Sequence, residues 1–263
     1  MSIKIISVNS NFSDYGALVQ KLESDVEYPF GSDFFKLDHG DDYFAFFKRL
    51  GLIQFNLAIY KSEVVGCAAG VLRKIKFGNN SQKCWYLCDL KVRKDFLGKR
   101  IPSKLLRKKL FLNYLLCGRG YAISMNPAQG ENRVVRLLKK FSWLPFHHVD
   151  NLNFYTLSYK QVLDISNSLS EEFRSKGFLS LEGKKDLVMK SNGQRLPLLH
   201  FQYGPFAEAG SGPVVDASHM FCAPNGSSLD NFLSKKFEVQ ATASVVAHRM
   251  SGVNWDFILS SDI

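Results

Sequence analysis

The sequence predicts a mixed α/β (α+β) fold in which a partly antiparallel sheet is followed by a smaller C-terminal α+β unit. Three observations carry this. Apolar residues change from helical to alternating spacing and back along residues 1–159. Three consecutive strand-like runs, FNLAIYKSE, VVGCAAGVLRKIKF and KCWYLCDLKV, follow one another with a Lys61-Ser62-Glu63 turn between the first two, as in a meander. Beyond Tyr159 the elements shorten and a Gly/Pro-rich stretch, GPFAEAGSGPVVD, interrupts them. A chain of 263 residues with 46% hydrophobic and 22% charged content can bury a sizeable core.

In order, IKIISV reads as a strand, and NFSDYGALVQKLESDV carries an Asn/Ser cap signal ahead of Tyr15, Leu18, Val19 and Leu22 at helical spacing. A second helix is expected over Tyr43 to Leu50, ahead of the three strands. IPSKLLRKKLFLNYLLCGRG is then one helix, with Pro102 in its first turn, Ile101, Leu105, Leu112, Leu115 and Leu116 on one side, and Gly118/Gly120 as its stop. A strand YAISM, a turn NPAQG, a helix ENRVVRLLKKF and a strand NFYTLSY complete a unit over 1–159. In residues 160–263, KQVLDISNSLSEEFRSKG is a helix, and DLVMK and RLPLLHFQ form a hairpin turning at Asn192-Gly193, which tolerates positive φ at both positions. SHMFCAP, residues 227–250 and NWDFILSSD read as strand, helix, strand. That order repeats the outline of residues 121–157, so a degenerate second half is one reading of the C-terminal unit.

The net charge of +10 is local. Residues 51–150 hold 19 Lys/Arg against 5 Asp/Glu, whereas the other 163 hold 15 against 19. Within 93–109, eight basic residues face only Asp95. Such a cluster suits a solvated helix face, a nucleic-acid patch or a compact polyanion such as a nucleotide phosphate. Interleaved exposed aromatics and a recognition-helix pattern are missing, which disfavours nucleic acid. The five cysteines are odd in number, sit mostly in apolar runs and include no CxxC pair, as expected of reduced thiols in a cytoplasmic protein. No apolar run approaches membrane-helix length, and the N-terminus lacks a signal-peptide pattern. His219 and His248 have no metal-ligand spacing around them, and His147-His148 read as a surface turn, so no metal site is expected.

The most informative segment is Asp89 to Leu106, a strand running through a short Gly-containing loop into a helix, with basic residues at the junction. Unpaired amides at a helix start, beside Lys and Arg, favour an anion. Leu90-Lys91-Val92 followed by Leu97-Gly98-Lys99-Arg100-Ile101-Pro102 resembles the acetyl-CoA-binding motif of the GNAT N-acetyltransferase superfamily, a Leu-x-Val strand end and an Arg/Gln-x-x-Gly-x-Gly/Ala loop. Leu97, Arg100 and Pro102 depart from that pattern, and Pro102 has no N–H to offer. Asn126 to Trp143 resembles the superfamily's second motif, with Leu138 where many members carry a Tyr that protonates the CoA thiolate. The resemblance covers about residues 1–159.

The resemblance implies a mixed sheet of GNAT type and acetyl-CoA as acyl donor, its pantetheine lying between two splayed parallel strands. Leu90 and Val92 would then supply backbone contacts to pantetheine. Leu97, Gly98, Lys99, Arg100 and Ser103 would surround the pyrophosphate, and Asn126 and Asn132 would make polar contacts on the other side. The implied activity is direct acyl transfer to an amine acceptor, a small molecule or a peptide. The departures leave a degenerate CoA- or partner-binding module of the same fold as the alternative. In a regular strand, Tyr86, Cys88, Leu90 and Val92 share one face and Asp89 and Lys91 the other, so Asp89 and Tyr86 are alternative candidates for the catalytic acid/base; a bulge would change that. Residues 160–263 are expected to shape the acceptor site, and the acidity of residues 201–263, three bases against six acids, to suit a cationic amine.

Overall fold

The computed structural model describes residues 2–77, 80–108, 110–140, 146–173, 177–196, 198–203 and 216–263. Strand β1 (Lys4–Val8) and helix α1 (Ser13–Glu23) stand where alternating and helical spacing place them, but α1 starts at Phe12 with no side-chain cap. Two strands that the sequence reading missed follow, β2 (Tyr28–Phe30) and β3 (Asp33–Asp38). Helix α2 (Ala45–Leu50) leads into the meander β4 (Leu52–Tyr60), β5 (Glu63–Phe77) and β6 (Asn80–Val92). The β4–β5 turn places Lys61 and Ser62 at φ 48 and 65°, the paired positive values of a tight hairpin.

The single helix expected after β6 is two, α3 (Ile101–Arg107) and α4 (Leu110–Leu116), because Lys108 is extended at ψ 121°. Ile101 and Leu105 are buried as expected, whereas the break turns Leu112, Leu115 and Leu116 out to solvent. Then come β7 (Gly120–Met125), α5 (Arg133–Lys139), β8 (His147–Leu157) and α6 (Tyr159–Phe173). His147 and His148, expected in a turn, open β8. The C-terminal unit continues with β9 (Gly177–Ser180), β10 (Asp186–Met189), β11 (Arg195–Leu196), β12 (Leu198–Gln202), β13 (Ser218–Pro224), α7 (Ser228–Ser234) and β14 (Ala241–His248).

Three expectations there are corrected. Only Gly193 of the Asn192-Gly193 turn has positive φ, and Met189 N–H bonds Gln194 O, so the β10–β11 connection is longer than two residues. Residues 227–250 are not one helix: Ser227 caps α7 through Asp230 N–H, and the β-branched Thr242, Val245 and Val246 lie in β14. The last expected strand is two 3₁₀ turns, Trp255–Phe257 and Ser260–Asp262. The Gly/Pro-rich stretch lies, except for its last residue, outside the described residues.

Ten strands form one sheet in the order β1-β4-β5-β6-β7-β14-β8-β13-β12-β9, and β11-β10-β3-β2 form a second. In the large sheet two neighbouring pairs are parallel, β6 with β7 and β12 with β13. Outward from its centre the sequence of strands therefore repeats: β14, β7, β6, β5 on one side and β8, β13, β12, β9 on the other. Each half has given its last strand to the other, since β14 lies between β7 and β8 and β8 lies between β14 and β13. The small sheet, α1 and α2 cover one face of the first half in the main core, while Ile101 and Leu105 of α3 pack on the opposite face with Ala58, Val65 and Ala68.

Candidate active site

The parallel pair β6/β7 comes apart part-way along. Trp85, Tyr86 and Leu87 pair with Gly120, Tyr121 and Ala122, and the pairing stops there. Strand β6 nevertheless stays on β5 as far as Gly66↔Val92, and β7 stays on β14 as far as Ala243↔Met125. The facing edges of residues 88–92 and 123–125 are thus left without strand partners, a slot in which an extended ligand with amide groups can bond as an added strand.

A bulge opens the slot. Cys67 opposes Lys91 and Ala69 opposes Cys88, so three steps on β6 face two on β5, and Asp89 takes the left-handed conformation at φ 57°. Asp adopts that conformation more readily than most residues. The strand is therefore not regular: Tyr86, Cys88, Asp89 and Lys91 lie with the main core face, while Leu90 and Val92 turn to the α3 side. Asp89 and Tyr86, expected on opposite faces, share one.

The Asp89 side chain enters a buried polar cluster. Tyr43 Oη donates to Asp89 Oδ2 at 2.8 Å, and Lys91 Nζ pairs with both Asp89 and Glu23 and donates to Tyr43 Oη at 2.7 Å. Burial pushes the Asp89 carboxyl up to about 6 against the lowering effect of the Tyr43 and Cys67 donors, and pushes Lys91 down. The carboxylate is thus poised to exchange a proton near neutrality, with a phenol, an ammonium and a second carboxylate behind it. Tyr86 lies one residue before the pairing ends, stacked on Tyr121 at 4.9 Å, and burial holds its phenol well above its usual range.

At the slot's outer end lies the loop before α3. Leu97, Gly98, Lys99 and Arg100 are all exposed, Gly98 at φ 79° with open space around it and Arg100 left-handed at φ 57°. The superfamily's glycine at the Arg100 position has a physical reason here, since that backbone suits glycine best. The start of α3 sits tight on the sheet: a Cβ on Gly66 would lie 3.0 Å from both Lys91 O and Ile101 Cγ2. Of the basic cluster, Arg93 pairs with Glu63 at 2.7 Å and Asp95 at 2.8 Å, and Lys99 lies over the Phe96 ring and donates to Asp95 O. Arg100 and Lys104 carry no ion pair among the described residues. Ser103 follows Pro102 in the first turn of α3.

Asn132 and Asn126 direct their polar groups inward. Asn132 caps α5 through Val134 and Val135 N–H and donates to Ser124 O, Met125 O and Asn126 Oδ1. Asn126 donates to Thr242 and accepts from Ser244 Oγ at 2.7 Å. Together they anchor the β7 side of the slot to α5 and β14.

The slot opens into a cavity of about 520 Å³. Leu106, Leu138 and Val134 line its outer part, with Leu138 at the position where the resemblance would place a Tyr. The inner part is walled by Tyr28, Phe30 and Phe35 of the small sheet, Phe46 and Phe47 of α2, and Lys185. Sequence reasoning missed Glu23, Tyr43, His39 and Lys185, which come from elements distant in sequence and carry no motif. Residues 160–263 do line the cavity, through Lys185, Leu187, His200, Met220, Ser260 and Ile263, but no acidic side chain is among these. The acids of 201–263 nearest the cores are spent internally, Asp230 on Tyr155 and Asn153 and Asp262 on Arg73 at 3.0 Å.

The second parallel pair is filled by the chain itself. β12 and β13 pair from Leu198↔Ser218 to His200↔Met220, and there Ser260 enters. Its hydroxyl donates to Met220 O at 3.0 Å and lies 3.2 Å from His200 Nδ1, while Gln202 Nε2 donates to Ser261 Oγ at 3.2 Å, all buried.

No family model and no curated protein matches the sequence. Among solved structures, the tandem GNAT protein from the clavulanic acid biosynthesis pathway is similar over 94% of this chain and 98% of its own, at 9% identity and a TM-score of 0.53. A probable N-acyltransferase from Enterococcus faecalis is similar over 94% of this chain and 72% of its own, at 7% identity and a TM-score of 0.47. A GNAT-family acetyltransferase from Staphylococcus aureus is similar over 57% of this chain and 86% of its own, at 18% identity and a TM-score of 0.37. The tandem protein is similar over nearly the whole of both chains. The chain has the GNAT fold, built as two halves on a single sheet.

Proposed function

We propose that the protein is an acyl-CoA-dependent N-acyltransferase that moves an acetyl group from acetyl-CoA to an amine in the first half of the sheet. The observation that carries this is the β6/β7 slot: it has unpaired strand edges, a basic loop at one end and a large cavity at the other. Pantetheine would bond the edges of Leu90 and Val92. Gly98, Lys99, Arg100 and Ser103 would meet the pyrophosphate, Arg100 with a fork of donors in place of the amide that Pro102 lacks. Asn126 and Asn132 would hold the β7 edge in place.

Direct transfer needs a neutral amine, a proton acceptor and a donor to the departing or developing charge. Asp89 is the acceptor: the residue lines the cavity and the proton affinity of its carboxyl lies near neutrality. The amine nitrogen attacks the thioester carbonyl, its proton passes to Asp89, and the C–S bond breaks. Tyr86, on the same face and held protonated, is the phenol for the leaving thiolate in the absence of one at Leu138. The leucine also favours the alternative of a binding module without turnover. Thiol release from acetyl-CoA with a panel of amines tests the reading. Release that depends on the amine and falls at least tenfold in Asp89→Asn supports it; CoA binding with no release by any amine leaves the binding module.

A further inference from the structure

The inner cavity constrains what can enter it. Five aromatic side chains wall it, Tyr28, Phe30, Phe35, Phe46 and Phe47, enough to enclose a ring-sized apolar body. Its ionisable groups are unevenly matched. Glu27 is paired with Lys190 at 2.8 Å, and Asp89 with Lys91. Arg133 lies at the start of α5 on the cofactor side. His39 donates from Nδ1 toward Lys184 O at 3.2 Å, and its Nε2 is buried without a partner among the described residues. His200 is held by Ser260.

Lys185 stands apart. Its Nζ lies 4.2 Å from the Phe46 ring centroid, and among the described residues it has no carboxylate within ion-pair distance and no side-chain hydrogen bond. Lys185 is half-buried, and an ammonium largely drawn out of bulk water with only one ring face beside it is costly. The placement is built: Lys184 and Lys185 N–H both bond Leu181 O, at 2.8 and 2.9 Å, and Gly183 N–H bonds Asp186 Oδ2 at 3.0 Å, which fixes the turn that presents it. Burial first and the Arg49 charge second hold Lys185 down at about 7, against the weaker raising pull of Cys88, Asp262 and Asp89, so an incoming carboxylate at contact distance would both find a cation and stabilise it.

We propose that the inner cavity is the acceptor subsite and takes an amine that also bears a carboxylate and a ring-sized apolar body, the carboxylate pairing with Lys185 Nζ. This rests on the acyl-transfer reading for the word acceptor, and replaces the cationic acceptor expected from the acidity of residues 201–263. A carboxylate could also arrive on a dicarboxylic acyl group, and the experiment separates the two sources.

Calorimetry on the full chain, with CoA present and absent, would compare 3-phenylpropionate with 3-phenylpropionamide, in wild type and in Lys185→Met and Lys185→Arg. The acid is expected to bind about tenfold or more tighter than the amide, the order that a desolvated charge-assisted pair supplies. Lys185→Met, whose fold is checked by its thermal midpoint, should abolish the difference, and Lys185→Arg should keep part of it. Equal binding of acid and amide, or a preference that survives in Lys185→Met, overturns the proposal. So does a preference for succinyl-CoA over acetyl-CoA in thiol release that is lost in Lys185→Met, because the carboxylate would then belong to the acyl group. Heat from CoA without discrimination between acid and amide sinks this proposal alone. Discrimination without heat from CoA sinks the acyl-transfer reading alone.

Discussion

Tyr43 Oη donates to Asp89 Oδ2 at 2.8 Å across a sequence separation of 46 residues, and so ties α2's entry to the bulge that opens the β6/β7 slot. Tyr43→Phe would remove that donor and the acceptor of Lys91, at a cost of roughly 1–3 kcal/mol for buried polar groups left unpaired. The Tyr43 hydrogen bond lowers the Asp89 pKa, so its loss should move that value above about 6. The acid limb of the thiol-release profile should shift upward in pH; a limb that stays in place would remove Asp89 from proton transfer.

Lys185 gives a signed effect of pH on stability. Its folded pKa, about 7, lies below the roughly 10.4 of an unfolded lysine. Between those values the unfolded chain binds more protons, so stability rises with pH across that window, and below about 7 the cost of the buried charge is fully present. Lys185→Met removes the cost. Its thermal midpoint should exceed wild type by several degrees near pH 6, with the gap closing toward pH 10. A lower midpoint at pH 6 would mean that the ammonium has a stabilising partner.

Asp262 should matter well beyond its position near the C-terminal end of the sequence. It meets Arg73 at 3.0 Å in a buried pair, and Arg73 also donates to Tyr121 Oη at 3.1 Å. Asp262→Asn leaves a buried guanidinium short of charge, at a cost of roughly 3–5 kcal/mol. Chemical denaturation would reveal a loss of this order. A loss below about 1 kcal/mol, the size of a surface pair, would contradict the burial of the bridge.

The exchanged strands bear on the chain's two units. A 1–159 fragment lacks β14, which pairs with both β7 and β8, and lacks Asp262 opposite Arg73. It should aggregate or fail to fold. A soluble, cooperative 1–159 fragment would show that the first unit closes its sheet without the exchanged strand.

Much of this was legible in the sequence where local pattern and tertiary need agree. The meander, α1, α5 and the Asp89–Leu106 strand-loop-helix follow from periodicity and turn residues. Lys108 breaks the expected long helix without a Gly or Pro to announce it, and β2 and β3 are short strands held by pairing with each other and, through β3, with β10, 154 residues away at Phe35↔Met189. Asp89 was visible as a candidate, but its bulge was not, since left-handed Asp has no distinct spacing. Lys185 and His39 reach the cavity only because the second sheet folds over the first half, a relationship between segments that one sequence does not display.

Calorimetric titration of the intact protein with acetyl-CoA tests the central claim most directly, because the described residues form two parallel pairs and, of these two, the first is open while Ser260 enters the second. One molecule should bind per chain, and Arg100→Glu should weaken it strongly by replacing a donor with a repelling charge beside the pyrophosphate. No heat at millimolar acetyl-CoA, two sites per chain, or undiminished binding in Arg100→Glu would contradict the assignment of the β6/β7 slot.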